Sequence, residues 1–539
     1  MSLWVSSNPS VATQVHRSRA AWWALYTPVV LLTLMMVALA AITVDEVFSA
    51  TFVLLVAGVV MVLRQPAVGI YLIAFFGLIG DAQISPWYPG VKNLSSGESL
   101  LYVGNAVSVS PIEIILVASV GGWLLRALSS RRSAIRRGAL WRPLLVFTSF
   151  VIYGLMFGLI TGGDPTAALW EVRGLLYLPV IYLLAQNVFT SVAHYRYAFL
   201  AIAVAVLIDS LMAMRYLTAL GPAQRDTIDS LGEHTASLHL NAIFVLIFAA
   251  RLFRGSSWQL RAILPLLALP TVFIYIEGQR RSAVAALIVA AVLLAAILFT
   301  LNRRKFWKIV PIVSLIFMGY VGAFWNSASA LGFPAQAVKE IVAPNQISQE
   351  DADSNAYRKI ENTDIIATMH SKPLTGIGFG HPFLRPIPLP SISNFLLAPY
   401  MPHNSLLWVW LKTGPLGFAA LLYLFTRAVS VGVRDMRLRA SPDAAALSLA
   451  AVIFVAMYAI FAFVDIAWDA QSMVILGLAL ATIGSDECRA LRSGAEASSG
   501  PPARKPRTRK PPPTARELPK AREPLPSRAV APARAEAGV

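Results

Sequence analysis

The chain has 539 residues, of which 57% are hydrophobic and only 14% charged, and it carries a net charge of +17. About a quarter of the residues of a soluble domain are charged, whereas apolar runs of about 17 to 20 residues recur along most of this sequence. The composition argues against a soluble all-α protein, whose helices would each carry a polar face. It predicts an all-α polytopic membrane protein, and the single cysteine, Cys488, excludes internal disulfides.

The apolar segments can be followed in chain order. Arg17 and Arg19 precede the first one, which is too long for a signal-peptide core, so we interpret it as a retained helix after a cytoplasmic N-terminus at 1–25. The hydropathy rule predicts about fourteen transmembrane helices. They are 26–44, 47–63, 66–80, 109–126, 143–160, 168–186, 197–217, 237–253, 261–277, 281–300, 308–325, 403–427, 444–463 and 467–484.

The charges of the connecting segments predict the topology. Lys and Arg in short loops mark the cytoplasmic side. If the N-terminus is inside, the strongly basic connections all fall inside, among them "RALSSRRSAIRRGALWR", "NRRKFWK" and "TRAVSVGVRDMRLR". The outside then receives 81–108, 218–236 and 326–402. This agreement predicts helices 1–11 within 26–325, helices 12–14 within 403–484, and both termini in the cytoplasm.

The longest outer segment, 326–402, has a composition of its own. It is polar, rich in Pro and Gly, and free of spanning runs, and ordered loops of this length are usually functional. Within it, "SNAYRKIENTDIIATMHSKPL" has helical periodicity, with Ile360, Ile365, Ile366 and Met369 on related faces. We expect a small cap built from short helices.

The C-terminal segment, 485–539, differs again. From Arg489 onward it contains twelve Lys or Arg against four Glu, many Pro and few large apolar residues. Such a composition predicts disorder. A cytoplasmic tail held near anionic lipid is favoured over a nucleic-acid-binding tail.

Cations on the outer side contradict the positive-inside rule and are therefore informative. "YIEGQRRSAVAALIVAAVL" places Arg280 and Arg281 in an outer turn, and Arg173 enters a span from the same side. Charges in hydrocarbon tend to be paired or functional. Glu277 and Glu171 could neutralise these arginines, or the arginines could extend to the headgroups, but Glu277 can satisfy only one of Arg280 and Arg281.

Clustered outer arginines suit an anion, most naturally a phosphate, because planar guanidinium groups bind phosphate oxygens bidentately. Arg358, in the long outer loop, could join them, although alone it would be a solvated helix charge. His403 begins the span after this loop and can accept a proton at neutral pH. Asn404 can orient an oxygen or cap the helix.

Three motifs together resemble a known family. "EGQRRSAVAALIVA", "YRKIENTDIIATMHSKPLTGIGFG" and "HNSLLWVWLKTGPLGF" follow one another in the order found in the O-antigen ligase and O-antigen polymerase superfamily. That order is an Arg-containing turn opening a span, a long periplasmic loop with an Arg and a "P-L-x-G-x-G-x-G" element, and "H-N-x-x-L" leading into a span with "G-x-x-G". About fourteen spans and a basic Pro-rich tail depart from the family pattern.

The resemblance implies a glycosyltransferase of the bacterial inner membrane that transfers a glycan from undecaprenyl diphosphate to a hydroxyl of an acceptor glycan or glycolipid. His403 would take the proton of that hydroxyl or orient it, giving inversion, and Arg280 would stabilise the developing charge. The remaining implied substrate-binding residues are Arg281, Arg173, Arg358, Asn404, Gly376 and Gly378. Membrane lipids are expected partners; a cofactor, a metal and nucleic acid are not expected.

The sequence is also compatible with two other function classes. A flippase or other transporter of lipid-linked oligosaccharides suits the number of spans, but it should place its polar residues near mid-membrane. A scaffold protein acting through its tail leaves the outer arginines without a role. The residues do not separate a ligase from a polymerase, because the two differ only in the hydroxyl that enters.

Overall fold

The computed structural model describes most of the chain. The described residues are 31, 46–79, 102–103, 107–129, 135–220, 235–253, 256–278, 280–327, 329–390 and 397–489. They all belong to the unit that runs from Met1 to Arg492. The predicted helix 26–44, apart from Leu31, and the tail beyond 489 lie outside the described residues.

The described chain is almost entirely helical. Its helices are α1 (Glu46–Arg64), α2 (Pro66–Phe76), α3 (Pro111–Ser129), α4 (Trp141–Ile160), α5 (Pro165–Val188), α6 (Val192–Ala219), α7 (Ala236–Leu252), α8 (Leu264–Glu277, after a π turn at Gln259–Ile263), α9 (Arg281–Leu301), α10 (Arg303–Ala323), α11 (Phe333–Val342), α12 (Gln349–Ser371), α13 (Ser405–Arg434), α14 (Pro442–Val464) and α15 (Ala470–Gly484). Two-residue strands, Tyr102–Val103 and Val107–Ser108, form a short antiparallel pair.

Within this part of the chain, nine helices are long and apolar enough to cross a membrane, and four shorter apolar helices accompany them. Every predicted span from 47–63 onward coincides with one of these helices. The all-helical, multi-pass membrane architecture is therefore confirmed, while the count of about fourteen remains a prediction.

The core lies around α14 and α15. Helix α14 packs against α7, α9 and α13, and α15 packs most extensively against α5. Every residue of α15 is buried, whereas none of α10 is. A helix that is apolar and yet unburied needs a nonpolar surrounding, so α10 lies at the lipid-facing periphery.

The cap follows α10. It contains α11, α12 and two short 3-10 turns at Ala330–Gly332 and Pro344–Gln346. The predicted helical segment is present, but α12 is 23 residues long rather than short. Of the predicted apolar positions, Ile365 is buried and Ile366 is 44% exposed. The face that α12 buries is mostly polar, since Glu361 and Asp364 lie on it.

The buried face of α12 is polar because it binds the chain that returns to the membrane. Asp364 Oδ1 accepts the backbone N–H of Ile387 at 3.1 Å, and Thr368 Oγ1 accepts that of Leu384 at 2.9 Å. These bonds give hydrogen-bond partners to backbone groups of an irregular segment that has no helix or strand to pair with. They fix the segment that leads to α13.

Candidate functional site

His403 is held by a carboxylate of the cap. Its Nδ1 lies 3.1 Å from Oε2 of Glu361, and its backbone N–H donates to the same oxygen at 2.9 Å. Glu361 is only 3% exposed. A carboxylate on Nδ1 favours the tautomer in which Nε2 is the acceptor nitrogen, the arrangement that a general base requires.

Tyr357 completes the surroundings of the imidazole. Its ring stands edge-on to that of His403, with the ring centroids 5.6 Å apart. Burial and the nearby charge of Glu361 raise the pKa of Tyr357, against the opposing effect of Arg385. The phenol therefore stays protonated at neutral pH and adds no charge beside His403.

Asp465, in the turn between α14 and α15, joins the two helix starts that carry the predicted site. Its Oδ2 accepts the hydroxyl of Ser282 at 3.0 Å, and its carbonyl oxygen accepts the hydroxyl of Ser405 at 3.0 Å. Both serines and Asp465 are buried. This link brings the arginine turn at 280–282 and the histidine turn at 403–405 to the same end of the bundle.

Arg358 extends that link to the cap. Its Nη2 lies 3.9 Å from Oδ2 of Asp465, and its side chain is 28% exposed. Arg358 and Glu361 are three residues apart on α12, so they share a helix face. One face of α12 thus supplies both the carboxylate that holds His403 and a partly exposed guanidinium. Asp465 is thus the buried partner of an arginine and not a solvated turn charge.

Arg280 and Arg281 differ in their surroundings. Arg281 Nη1 forms ion pairs with Glu340 at 3.0 Å and with Asp351 at 3.2 Å, which tie α9 to α11 and α12. Arg280 precedes the first turn of α9, in an extended backbone conformation. Arg281 therefore anchors the cap, while Arg280 lies next to the link that Asp465 makes.

Arg173 lies apart from this group in its described contacts. Its Nε and Nη2 bind both oxygens of Glu113 on α3 at 2.5 Å, and its guanidinium lies 5.0 Å from the ring of Trp170. Of the alternatives left open for Arg173, neutralisation by Glu171 is not observed; its partner is Glu113. Glu171 points elsewhere because it forms a different ion pair inside the bundle.

That buried pair joins α5 and α13. Glu171 Oε1 lies 2.8 Å from Nζ of Lys412, and both side chains are fully buried. Lys412 also donates to the carbonyl oxygen of His381 at 2.6 Å, and Glu171 accepts the backbone N–H of Gly380 at 2.6 Å and the indole N–H of Trp408 at 3.2 Å. Each charge is neutralised and hydrogen-bonded, as a buried charge requires.

The glycine loop is the segment that this pair holds. Gly376, Gly378 and Gly380 all have positive φ, between 70° and 83°. Their conformation exposes backbone N–H groups, but those of 376, 377, 379 and 380 are already bound by the protein. The anion that binds this loop in the structure is the carboxylate of Glu171. Substrate contact by Gly376 and Gly378 stays a prediction.

Asn404 caps α13. Its Oδ1 accepts the backbone N–H of Leu407 at 3.0 Å, and the residue is buried. The capping alternative for Asn404 is therefore the one observed, and its binding of substrate stays a prediction. Capping sets the direction in which α13 leaves the histidine turn.

Replacing Gly378 with alanine is expected to destabilise the protein. A Cβ there would lie 2.4 Å from the Cα of Gly158 on α4, at a φ of +81°. The left-handed conformation alone costs an L-residue about 1–2 kcal/mol. Thermal unfolding of purified protein should show a lower midpoint than wild type. Gly319→Ala, where a Cβ would meet nothing within 4 Å, is the control, and an unchanged midpoint for Gly378→Ala would contradict the tight packing.

Sequence reasoning missed the acidic partners and the buried lysine. Glu361 and Asp364 lie within the second of the three motifs and Lys412 within the third, but none of them was given a role, and helical periodicity predicted the apolar positions of α12 instead. The available signal was the three-residue spacing between Arg358 and Glu361, which puts opposite charges on one face. Among the residues that the structure describes, no group of three or more His, Cys, Asp or Glu is placed to hold a metal ion.

Comparison with known families gives one match. Residues 265–422 match the family described as O-antigen ligase. The matched region runs from α8 through the cap into α13, so it contains Arg280, Arg358, Glu361 and His403. No curated protein sequence matches the chain. The resemblance predicted from the three motifs is confirmed.

Proposed function

We propose that this membrane protein, with an O-antigen ligase domain at 265–422, transfers a glycan from undecaprenyl diphosphate to a hydroxyl of an acceptor glycan or glycolipid. The observation that carries the proposal is the pairing of His403 with the buried Glu361 beside the turn that bears Arg280. The family match supports the reaction class. The reaction takes place at the periplasmic face of the bacterial inner membrane, the side to which the distribution of Lys and Arg in the loops predicts this end of the bundle to face.

His403 acts as the general base. Glu361 holds Nδ1, so Nε2 faces the acceptor hydroxyl and takes its proton as the oxygen attacks the anomeric carbon. The bond to the diphosphate breaks on the opposite side, and the configuration inverts. Glu361 also stabilises the imidazolium that forms, as the carboxylate does in other pairs of a catalytic histidine and an acidic residue.

The arginines stabilise the leaving diphosphate. A diphosphate leaves readily once its charge is neutralised, so the reaction needs no general acid and no metal. Arg280 and Arg358 are the best placed to bind the diphosphate. Arg280 lies two residues before Ser282, which binds Asp465. Arg358 is partly exposed, and its ion pair with Asp465 is long, at 3.9 Å. Guanidinium groups that are held in place before the reaction lower the barrier by matching the charge that develops.

The other predicted site residues have mainly structural roles. Arg281 holds the cap over the reaction centre, Asn404 fixes the start of α13, and Gly376 and Gly378 fit the loop between α4 and α13. Arg173 is neutralised by Glu113, so it would bind substrate only by exchanging that partner. Apart from Arg173 and the buried pair Glu171–Lys412, the charged groups of the site lie at helix ends or in the cap, which supports an enzyme over a transporter.

Reconstituted protein tests the proposal directly. Purified protein, an undecaprenyl-diphosphate-linked glycan and an acceptor glycolipid, without nucleotide and with EDTA, should yield a new glycosidic bond and free undecaprenyl diphosphate. The anomeric configuration of the product, determined by NMR, should be the inverse of the donor's. Transbilayer movement of the donor without a new bond would instead establish a transporter, and activity that EDTA abolishes would contradict the metal-free mechanism.

Replacing Glu361 with glutamine tests the positioning of His403. Gln keeps the shape of the side chain but not the charge that stabilises the imidazolium. We expect kcat to fall by about tenfold to a hundredfold, less than the about 10²–10⁴-fold that a general base contributes, while KM for the donor stays near wild type. Lys359→Gln, which removes an exposed charge of the same helix, should be neutral. A wild-type kcat for Glu361→Gln would remove Glu361 from the mechanism.

A further inference from the structure

A second group of charges lies at the other end of α13. There, a pocket of about 480 Å³ opens between the end of α13 and the segment after α15, lined by Arg434, Asp435, Leu438 and Arg489. Helix α13 has 30 residues with a kink at Gly414, and at about 1.5 Å per residue about 45 Å of helix length lies between this pocket and His403. The pocket is therefore outside the proposed transfer site.

One carboxylate organises the arginines of this pocket. Asp435 Oδ1 binds Nε of Arg434 at 2.8 Å, and Oδ2 binds Nη2 of Arg489 at 2.9 Å. Burial disfavours its charge, but the bond from Arg434 and the charges of Arg489, Arg434 and Arg439 hold the pKa of Asp435 below its usual range. Three guanidinium groups thus surround one ionised carboxylate, which leaves an excess of positive charge.

Arg439 shows that hydrogen-bond acceptors of the described residues do not balance this excess. The residue is only 5% exposed, and its three guanidinium nitrogens have no hydrogen-bond partner among the described residues. Arg489, which lines the pocket, also has a buried Nε without such a partner. Burial, together with the charge of Arg489, lowers the pKa of Arg439 to about 10, so it remains charged at neutral pH. Buried cations without acceptors are unfavourable. An anion in the pocket, whose lining includes Arg489 but not Arg439, would reduce the excess positive charge around both.

The pocket also has an apolar side and a defined level in the bilayer. Leu438 lines it and is 37% exposed. The pocket lies where α13 ends and α14 begins, and because both helices are candidate membrane spans, lipid headgroups are expected at this level. The positive-inside rule assigns this side to the cytoplasm, whose leaflet is rich in anionic lipids.

We propose that this pocket binds the phosphate of an anionic phospholipid headgroup. Arg434 and Arg489 hold the phosphate oxygens through their guanidinium N–H groups, and Leu438 contacts the glycerol and the first acyl carbons. The bound lipid joins the end of α13 to the segment after α15. Its effect is to stabilise the helix ends opposite the transfer site.

The test uses the full-length protein in nanodiscs of phosphatidylcholine, with and without phosphatidylglycerol. Phosphatidylglycerol should raise the thermal unfolding midpoint of wild type and be retained as an adduct in native mass spectrometry. Arg434→Gln/Arg489→Gln should lose the rise and bind the lipid at least about tenfold more weakly, since it loses charge-assisted hydrogen bonds. Arg427→Gln, which removes an exposed arginine of α13 outside the pocket, should behave as wild type.

Three results would overturn the assignment. The first is an equal rise in the double variant, which would place the lipid effect elsewhere, and the second is no rise in wild type. The third is the same rise from inorganic phosphate in phosphatidylcholine nanodiscs, which would keep the anion site but assign it to a soluble ligand. The number of phosphatidylglycerol molecules retained per protein in native mass spectrometry tests binding directly, even if the double variant is less stable. The readouts need no glycan transfer, so their failure leaves the proposed function untouched.

Discussion

Replacing His403 with alanine is expected to lower the rate of glycan transfer by about 10²–10⁴-fold, the usual contribution of a general base. The imidazole is the group that Glu361 holds through Nδ1 at 3.1 Å, and alanine leaves no group to take the proton of the attacking hydroxyl. Because the proposed diphosphate contacts come from arginines, KM for the donor should change little. Initial rates with purified protein at saturating donor measure the effect.

The same variant gives a cellular result. At equal protein abundance, cells with His403→Ala should show the surface-glycan profile of cells without the protein. Accumulated long undecaprenyl-linked chains would indicate a ligase, and single repeats would indicate a polymerase. His370→Ala, at an exposed position near the end of α12, is the matched control. If His403→Ala transferred glycan at the wild-type rate, the proposed base would be wrong and a transporter would have to be reconsidered.

Replacing Lys412 with methionine is expected to have the largest effect on stability. The substitution leaves the Glu171 carboxylate buried between α5 and α13 without its cation, while the carbonyl of His381 loses its donor. Breaking a buried pair by removing one partner typically costs about 3–5 kcal/mol. Thermal unfolding in detergent should show a lower midpoint, and the protein should be less abundant in membranes.

A second substitution separates the lost charge from lost packing. Glu171→Gln combined with Lys412→Met keeps an acceptor for the N–H groups of Gly380 and Trp408 but removes the unpaired charge. The double variant should therefore regain part of the stability that Lys412→Met alone loses. Arg427→Gln removes an exposed cation of the same helix and should be neutral. A double variant no more stable than Lys412→Met would show that the charge is not the cause.

Much of the fold was predictable because a spanning helix depends on local composition. Each predicted span within the described residues coincides with a helix, since about 30 Å of hydrocarbon imposes a length that can be counted. The kink of α13 at Gly414, whose φ is 74°, was not predicted. It depends on the backbone of Leu374, which would lie 2.4 Å from a Cβ at that position. Local composition carries no information about such a neighbour.

The candidate site, like the fold, was predictable only in part. The sequence by itself determined which cations and which histidine lie at the ends of apolar spans, because a span's length can be counted, and the positive-inside rule predicted that these ends face outward. Only the tertiary structure decided their partners: Glu361 for His403, Asp465 for Arg358, Glu340 and Asp351 for Arg281, and Lys412 for Glu171. The pair Glu171–Lys412 spans more than 200 residues of sequence. Ion pairs form between groups that packing brings within about 4 Å, and no periodicity along one helix encodes which helix will be its neighbour.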